Sequence, residues 1–462
     1  MTQRLANAID KEYAGCDGDG SVPSSCKEAS ASAAAAAAAA EAEAEAQPDA
    51  LERCISTHTT RTLGPPPDGG LLAWTQVVGA FFLFVNSWGI ANTYGVYQTY
   101  YEQTLFSDHS SEQIAWIGSL QSFLLLIVSA LAGPLFDKGY FRSLVTLGSL
   151  LVVFGMMMTS LCTAYWQAIL AQGLVVGVGA GCLFVPAVSI VATYFDKKRA
   201  LAVGIVTAGS SIGGVVYPII FIRLVDKLGF AWTTRIIAFI ALATLIVPGA
   251  GMKPRIRAAK ARPLLLPRAF LEVPYSTFTL GLFTGFMALY IPFFFITPYA
   301  RAQTGANATL ATYMLPILNG ASTFGRVLGG SVAGRIGPLN TLIPCTLAAA
   351  ILAFAWIGIH NVPGIIVFSV LYGFFSGTFV SLPPSTMAAL SPDLSQIGTR
   401  MGQSFFVAGL GVLIGTPVAG VLIKGDDFVR TQIFCGALIA VSVVLMVTAR
   451  VARTGPVLLA TS

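Results

Sequence analysis

Charged residues are scarce in this chain. Asp, Glu, Lys and Arg make up 10% of its 462 residues, whereas hydrophobic residues make up 55%. A soluble domain carries about 25% charged residues, and one soluble core cannot bury so much apolar surface. The composition therefore excludes an ordinary soluble protein and indicates a chain that is dissolved largely in lipid.

Groups that do chemistry are scarce as well. The chain has three histidines and seven cysteines, and the cysteines show no metal-ligand spacing. No acid lies well inside a hydrophobic stretch, and no Gly-x4-Gly-Lys-Ser/Thr loop is present. An intramembrane enzyme needs paired carboxylates, a nucleophile with its base, or a metal cluster. We therefore expect no catalytic residue, no metal, no cofactor and no ATP-driven pump.

Apolar stretches of roughly 20 residues fill the chain instead, and each could cross a bilayer core of about 30 Å as a helix. We predict an all-α membrane protein with twelve transmembrane helices in two six-helix pseudo-repeated bundles. The predicted spans are 71–98, 114–135, 142–163, 165–190, 200–222, 232–252, 273–298, 308–333, 340–359, 362–388, 400–422 and 429–450.

The predicted domains follow from where the apolar stretches begin and end. Residues 1–70 carry 11 acids against five Lys/Arg and an alanine run, which indicates a disordered cytoplasmic tail without a cleavable signal peptide. Residues 71–252 form the first bundle and 273–450 the second. Residues 253–272 form a basic cytoplasmic linker between them, and 451–462 form a second cytoplasmic tail.

The basic residues are distributed unevenly between the two sides of the predicted bundle. Beyond residue 70, 15 Lys/Arg fall in one set of loops and six in the opposite set. By the positive-inside rule the first set is cytoplasmic, as are both termini. The net charge of +6 is therefore a topology signal, and we expect the lipid bilayer and a small-molecule substrate as partners, no nucleic acid, and a monomer.

The two halves of the apolar region resemble each other. Gly177, Gly181 and Pro186 of span 4 recur as Gly373, Gly377 and Pro383 of span 10. Gly133 after span 2 recurs as Gly330 after span 8, and Ala208-Gly209 of span 5 recurs as Ala408-Gly409 of span 11, all at offsets of 196 to 200 residues. Parallel six-span repeats are typical of transporters that rock two bundles around a central site.

One residue interrupts the apolar pattern of the spans. Arg326 lies in span 8, nine residues before Arg335, so about 13 Å from the cytoplasmic end of that helix. It shares one helix face with Asn319 and Ser322. A lone cation in lipid is costly, so this face is expected to border a water-filled cavity. We predict that Asn92 and Tyr94 of span 1 and Tyr290 of span 7 line the same cavity. The alternative is that Arg326 only locks the bundle.

Charged motifs at the cytoplasmic helix ends resemble those of a known family. The loop after span 2 contains Asp137, Lys138 and Arg142, and its repeat after span 8 keeps Arg335 but has Gly334 in place of the acid. This loop resembles the signature of the major facilitator superfamily. Its carboxylate and cations are predicted to form an ion-pair latch that gates the cytoplasmic face, and the predicted gating and signature residues are Asp137, Lys138, Arg142, Asp196, Lys197, Arg199 and Arg335. Before span 5 the chain reads Tyr194-Phe195-Asp196-Lys197-Lys198-Arg199-Ala200-Leu201-Ala202-Val203-Gly204, and before span 1 Pro67-Asp68-Gly69-Gly70. Both segments resemble signatures of the monocarboxylate porter family within that superfamily. The segment before span 1 is especially similar to its form in fungal members.

The resemblance implies a function for Arg326. Transport-active relatives often carry a cation in span 8 that pairs with the substrate carboxylate, and Arg326 stands there. Proton-coupled animal members add an acid one turn earlier and a lysine in span 1, where this chain has Ser322 and Asn92. Both partners of a proton relay are thus missing, which fits a substrate that brings its own proton or leaves down a gradient.

We therefore expect a secondary transporter that moves a small organic anion, a monocarboxylate or an organic acid metabolite, by alternating access. Export is one of its expected directions. An efflux transporter for a neutral or bulky fungal secondary metabolite and a non-transporting sensor are the alternatives. The expected location is the plasma membrane, with the vacuolar membrane as the alternative.

Overall fold

The computed structural model describes residues 67–195, 198–255, 265–391 and 396–455, and these residues are almost entirely helical. The first half contains α1 (Leu71–Leu105), α2 (Ser111–Asp137), α3 (Phe141–Thr159), α4 (Tyr165–Ala168, Ile169–Val176 and Gly177–Tyr194), α5 (199–228) and α6 (230–251). The second half contains α7 (Val273–Gln303), α8 (Ala308–Ile336), α9 (Pro338–Ala355), α10 (Val362–Leu390), α11 (Ile397–Leu422) and α12 (Val429–Thr454).

Ten segments of the described chain are helices long and apolar enough to cross a membrane. One of them, Leu201–Gly251, is 51 residues long and comprises both α5 and α6. α8 is long enough at 29 residues, but its polar stripe with Arg326 keeps it below the apolarity of the others. The helices therefore account for each of the twelve predicted spans, and the fold is the all-α membrane fold expected from the sequence.

The connection between α5 and α6 differs from the prediction. The sequence pattern predicts a loop at residues 223–231, but helix continues through them with one break at Gly229. Gly229 has φ 75° and ψ 169°, a conformation that is unfavourable for residues with a Cβ atom. A single glycine thus reverses the chain here.

Two helices are interrupted near the centre of the bundle. α1 breaks at Ser87 and again at Thr93, and α7 breaks at Tyr290, shortly before Pro292. A proline cannot donate the helix hydrogen bond, so the break in α7 has a local cause. The two breaks face each other, because the rings of Trp88 and Tyr290 stack at 5.9 Å between centroids. Discontinuous helices of this kind surround the substrate site in many transporters.

Two pairs of helices make the most extensive contacts between the halves. α5 packs along α8, and α2 packs along α11, and both contacts are extensive. Large apolar side chains such as Leu150, Ile246 and Val444 remain more than half exposed on the outer surface. An apolar surface of this extent is typical of a protein surrounded by lipid.

The ends of the bundle differ in charge. We name the end that carries the α2–α3, α4–α5, α6–α7, α8–α9 and α10–α11 connections the basic end. Among the described residues it holds Lys138, Arg142, Lys198, Lys253, Arg255, Arg268, Arg335, Arg400, Arg450 and Arg453. The other end is called the opposite end below.

Candidate functional site

Arg326 lies at the centre of a polar cluster between α5 and α8. Its side chain is 2% exposed. Nε donates to Ser322 Oγ at 3.2 Å, and Nη1 donates to Ser210 Oγ at 2.7 Å and to the Thr207 carbonyl at 3.3 Å. Ser211 Oγ donates to Ser322 Oγ at 3.2 Å. The guanidinium therefore links the two halves through hydroxyl and carbonyl groups, without a carboxylate among these partners.

Three buried polar atoms around this cluster have no hydrogen-bond partner within the described part of the chain. They are Asn92 Oδ1, Asn319 Oδ1 and the Tyr290 hydroxyl. Asn92 Nδ2 donates to the Ser210 carbonyl at 3.4 Å, Asn319 packs against Gly214 of α5, and Tyr290 is close enough to Arg326 for an electrostatic interaction. Buried polar atoms normally have partners, so this cluster has unused hydrogen-bonding capacity.

The structure thus brings together Arg326, Ser322, Asn319, Asn92 and Tyr290, as the sequence predicted. It places Tyr94 elsewhere: the Tyr94 hydroxyl donates to the Ile114 carbonyl of α2 at 2.5 Å, and its ring contacts Phe294. The break in α1 at Thr93 separates Tyr94 from Asn92 and redirects it. A role of these six residues in substrate binding stays a prediction.

The expected cavity beside Arg326 is not what this conformation shows. The Arg326 side chain is 2% exposed, and it forms no wall of the cavities of about 510, 320 and 340 Å³ in the described part of the molecule. α5 and α8 are instead in close contact, with a Cβ atom built on Gly214 falling 2.6 Å from Asn319 Oδ1. The guanidinium is enclosed because Thr207 and Ser210 of α5 and Ser322 of α8 accept its hydrogen bonds.

A cavity of about 510 Å³ lies between α2, α4 and α11 toward the basic end. Ile127 and Leu131 of α2, Val185 of α4, and Met401 and Phe405 of α11 line it. No charged side chain lines this cavity within the described residues. Its size falls in the range of about 300–1,000 Å³ that ligand sites occupy. It suits a mainly apolar molecule.

A continuous row of aromatic rings connects this cavity with the polar cluster. Phe405, in the cavity wall, contacts Phe184 at 6.0 Å between centroids, and Phe184 contacts Trp88 at 6.2 Å. Trp88 stacks on Tyr290, which neighbours Arg326. The row crosses between the halves twice, so it closes the centre of the molecule in this conformation.

The opposite end is sealed by contacts between the halves. A Cβ atom on Gly95 of α1 would meet the Phe293 carbonyl of α7 at 2.3 Å, so only glycine permits this approach. At the same end Arg301 Nη1 donates to Gln103 Oε1 at 2.6 Å, and Gly420 of α11 packs on the backbone of Glu112. The cavity near the basic end and this seal together describe a bundle that is closed on the opposite side.

The two segments that resemble the monocarboxylate porter family contact each other at the basic end. The backbone N–H of Asp68 donates to the Tyr194 carbonyl at 3.2 Å, and Lys198 N–H donates to Asp68 Oδ1 at 3.4 Å. Trp74 packs edge-on against Phe195 at 5.4 Å. The segments therefore hold the start of α1 against the α4–α5 connection, which supports an anchoring role.

The predicted gating residues lie at the basic end where the structure describes them. Asp137 is buried, whereas Lys138, Arg142 and Arg335 are exposed. Asp196 and Lys197 lie outside the described residues, as does the side chain of Arg199. Gating by this set stays a prediction.

The sequence reasoning missed a strong contact in the second half and the apolar cavity. Arg400 forms a two-pronged ion pair with Glu272, and its guanidinium lies 5.4 Å from the ring centroid of Tyr275. The neighbouring Arg400 holds the pKa of Glu272 below its usual range, through hydrogen bonds first. The cavity had no sequence signal, because its lining residues are the same apolar types that pack elsewhere.

Comparisons with known proteins fit this architecture. Residues 77–362 match the model of the Major Facilitator Superfamily. The chain is 46% identical to the MFS-type transporter dbaD of Emericella nidulans over 357 residues, which are 77% of this chain and 80% of that protein. It is 40% identical to the aspyridones efflux protein apdF of the same organism, covering 81% and 77%. It is 36% identical to the agnestins efflux protein AgnL12 of Paecilomyces divaricatus, covering 81% and 86%.

A crystal structure of the nucleoside transporter NupG has the same fold, with a TM-score of 0.61 at 14% identity. The match covers 82% of this chain and 99% of that one. With a sequence model that matches more than half of the chain, relatives of this similarity, and two six-helix bundles around a central site, this chain belongs to the Major Facilitator Superfamily and is a multi-pass secondary transporter, not an enzyme.

Proposed function

We propose that this transporter exports a mainly apolar secondary metabolite, which it takes up at the basic end and releases at the opposite end. The observation that carries this proposal is the cavity of about 510 Å³ near the basic end, which has no charged side chain in its described wall. A small organic anion would lose its hydration there without gaining a cation in return. An apolar molecule gains from leaving water.

The relatives support the same reading. Two of them are named as efflux proteins, for aspyridones and for agnestins. The orientation rests on charge: the basic end carries most of the Lys and Arg beyond residue 70, and basic loops stay on the cytoplasmic side. The bundle described here is then open toward the cytoplasm and closed outward, which is the loading state of an exporter.

Gene deletion tests the proposal in the producing strain. The extracellular share of one metabolite should fall and its intracellular share should rise, because the product has no other exit of equal capacity. Expression of the natural chain should restore export. Val185→Phe, which fills the cavity from α4, should not restore it.

Val175→Phe is the matched control, because it makes the same change on the same helix in the separate cavity of about 320 Å³. It should restore export fully. Unchanged metabolite distribution after deletion, or equal rescue by both variants, would contradict export through the large cavity.

A second candidate, transport of a small organic anion held by Arg326, has one observation in its favour. The polar cluster holds a buried guanidinium and the unpartnered Tyr290 hydroxyl, and both can donate to an anion. The unpartnered Asn92 and Asn319 Oδ1 atoms are acceptors and would take a donor group of the same substrate. An anion bound there would replace the hydroxyl partners of Arg326 when α5 and α8 separate. This candidate also retains the resemblance to the monocarboxylate porter family.

Flux of labelled organic acids into proteoliposomes tests that candidate. Arg326→Ala should abolish the flux while the purified variant still elutes as a folded monomer in gel filtration, because only the guanidinium is removed. Normal flux by Arg326→Ala would remove the docking role and leave Arg326 as a lock between the halves.

A further inference from the structure

The apolar cavity has a rim that faces lipid. Leu131 of α2 is 54% exposed and Phe406 of α11 is 41% exposed, and both side chains line the cavity. They belong to membrane-spanning helices, so their exposed surface contacts acyl chains rather than water. The cavity therefore opens sideways between α2 and α11, into the leaflet next to the basic end.

The opening continues toward the basic end along the segment that precedes α7. Leu265 and Phe270, which are 69% and 40% exposed, complete the rim there. Apolar side chains on both the helices and this segment give a molecule dissolved in the leaflet an unbroken apolar path into the cavity. A hydrated ion has no comparable path, since the described wall offers it no charge.

The wall of the cavity contains a buried polar atom without a partner. Gln403 of α11 is 5% exposed and lines the cavity, and its Oε1 has no hydrogen-bond partner among the described residues. The Ser129 hydroxyl in the same wall already donates to the Leu126 carbonyl at 2.6 Å. The oxygen itself is covered in this conformation, and a buried amide oxygen is unfavourable without a donor. Rotation of the Gln403 amide toward the cavity lets one N–H or O–H group of a ligand meet that need.

We propose that the cavity is a ligand site that fills from the membrane through the gap between α2 and α11. Its ligand is a neutral, mainly apolar molecule with one hydrogen-bond donor, which bonds to Gln403. This inference rests on the proposed export function and specifies its substrate class and its route of entry. The ligand partitions into the leaflet first and reaches the transporter from there.

Photolabelling of the full chain in lipid nanodiscs tests both parts. The first probe is a benzyl alcohol that carries a trifluoromethyl-diazirine on its ring. The second is a phosphatidylcholine with the same aryl diazirine at the end of one acyl chain. Mass spectrometry after irradiation should find both probes on residues 185–189 of α4, inside the cavity, because the lipid-tethered ring can enter only from the side.

Matched variants separate the interior from the lipid surface. Val185→Phe should remove the label from α4 for both probes, and Val175→Phe should leave it unchanged. Gln403→Leu should lower labelling by the alcohol about tenfold, as expected for one lost hydrogen bond to a buried group. It should not lower labelling by the analogue in which a methyl group replaces the hydroxymethyl group.

Each failure has a distinct meaning. Label from the lipid-tethered probe that stays on exposed residues such as Leu131, while the free alcohol reaches α4, would overturn entry from the membrane. Equal labelling of Gln403→Leu by the alcohol would overturn the donor requirement. If both probes label α4 as described but gene deletion leaves the metabolite distribution unchanged, the ligand site stands and the proposed export function fails.

Discussion

The two most extensive contacts between the halves, α5 with α8 and α2 with α11, are equivalent in the sequence repeat but are built differently. Arg326 of α8 follows Ser129 of α2 by 197 residues, as Gly330 follows Gly133. Thr207 of α5, whose carbonyl accepts from Arg326, corresponds to Val407 of α11 at the offset of 200 residues that relates Ala208 to Ala408. The α5–α8 contact therefore has a guanidinium at the position where the α2–α11 contact has a cavity wall, because Ser129 and Val407 both line the cavity.

The difference shows how one repeat can serve two tasks. At the α5–α8 contact polar groups hold the halves together and fill the space between them. At the α2–α11 contact the same level of the membrane is left open and apolar. Rocking of the halves changes both contacts at once, so a ligand that fills the α2–α11 cavity acts on an equilibrium that the Arg326 cluster also sets.

Moving the cation from one contact to the other should break this difference most strongly. Ser129→Arg puts a guanidinium into the apolar cavity, at the position equivalent to Arg326, without the hydroxyl partners that Ser210 and Ser322 provide. We expect export to be lost, because an apolar ligand then meets a charge and has less room. The amount of extracellular metabolite in the deletion strain that carries the variant measures the remaining export.

Ser129→Val is the control for that change, because it keeps the cavity apolar and nearly the same size. It should retain export. Export that survives Ser129→Arg would show that the α2–α11 cavity is not on the transport path.

The fold followed from the sequence because the lengths of the apolar stretches decide it. The repeat offsets indicated which helices correspond, and the excess of Lys and Arg on one side predicts the orientation. The Arg326 cluster was also predictable, since Asn319, Ser322 and Arg326 recur at helical spacing in an otherwise apolar helix. The cavity and the aromatic row from Phe405 to Tyr290 were not, because apolar and aromatic residues look alike whether they pack, face lipid or line a hollow.

Glycines at the two contacts give the second test. A Cβ atom on Gly214 of α5 would lie 2.6 Å from Asn319 Oδ1, whereas one on Gly402 of α11 has Ala130 Cβ as its nearest neighbour at 3.4 Å. Gly214→Ala should therefore destabilise the protein by about 1–3 kcal/mol through overpacking. Gly402→Ala should change stability by less than about 0.5 kcal/mol.

Thermal unfolding reports both variants through a thiol-reactive dye, because Cys162, Cys182 and Cys435 are buried free thiols that unfolding exposes. A clearly lower midpoint is expected for Gly214→Ala only. Equal midpoints would mean that the α5–α8 contact tolerates expansion as readily as the α2–α11 contact, and that the Arg326 cluster does not hold it closed.

Hydroxyl groups at the two contacts offer a finer comparison. Ser322→Ala removes the acceptor of Arg326 Nε, and hydrogen bonds to a charged group contribute about 1.5–3 kcal/mol. Thr416→Val removes the hydroxyl that meets Ser119 across α2 and α11, a neutral bond of about 0.5–1.5 kcal/mol. The same dye assay should rank Ser322→Ala below Thr416→Val in midpoint, and the reverse order would contradict a stronger polar link at α5–α8.

The ion pair between Glu272 and Arg400 gives the smallest effect, because the Glu272 side chain is 38% exposed and such pairs are screened by water and salt. Arg400 lowers the pKa of Glu272, so the pair stabilises the folded state above the unfolded pKa of about 4.3, and that stability is lost as the pH falls through the lower folded pKa. Glu272→Gln should have a lower midpoint than the natural chain near neutral pH, and the gap should close in acid and in high salt. The ion pair holds the start of α11 against the residue before α7, in the same half of the molecule and at the end of the cavity. A difference in unfolding midpoint that persists in acid would show that side-chain packing, not charge, holds α11 in place there.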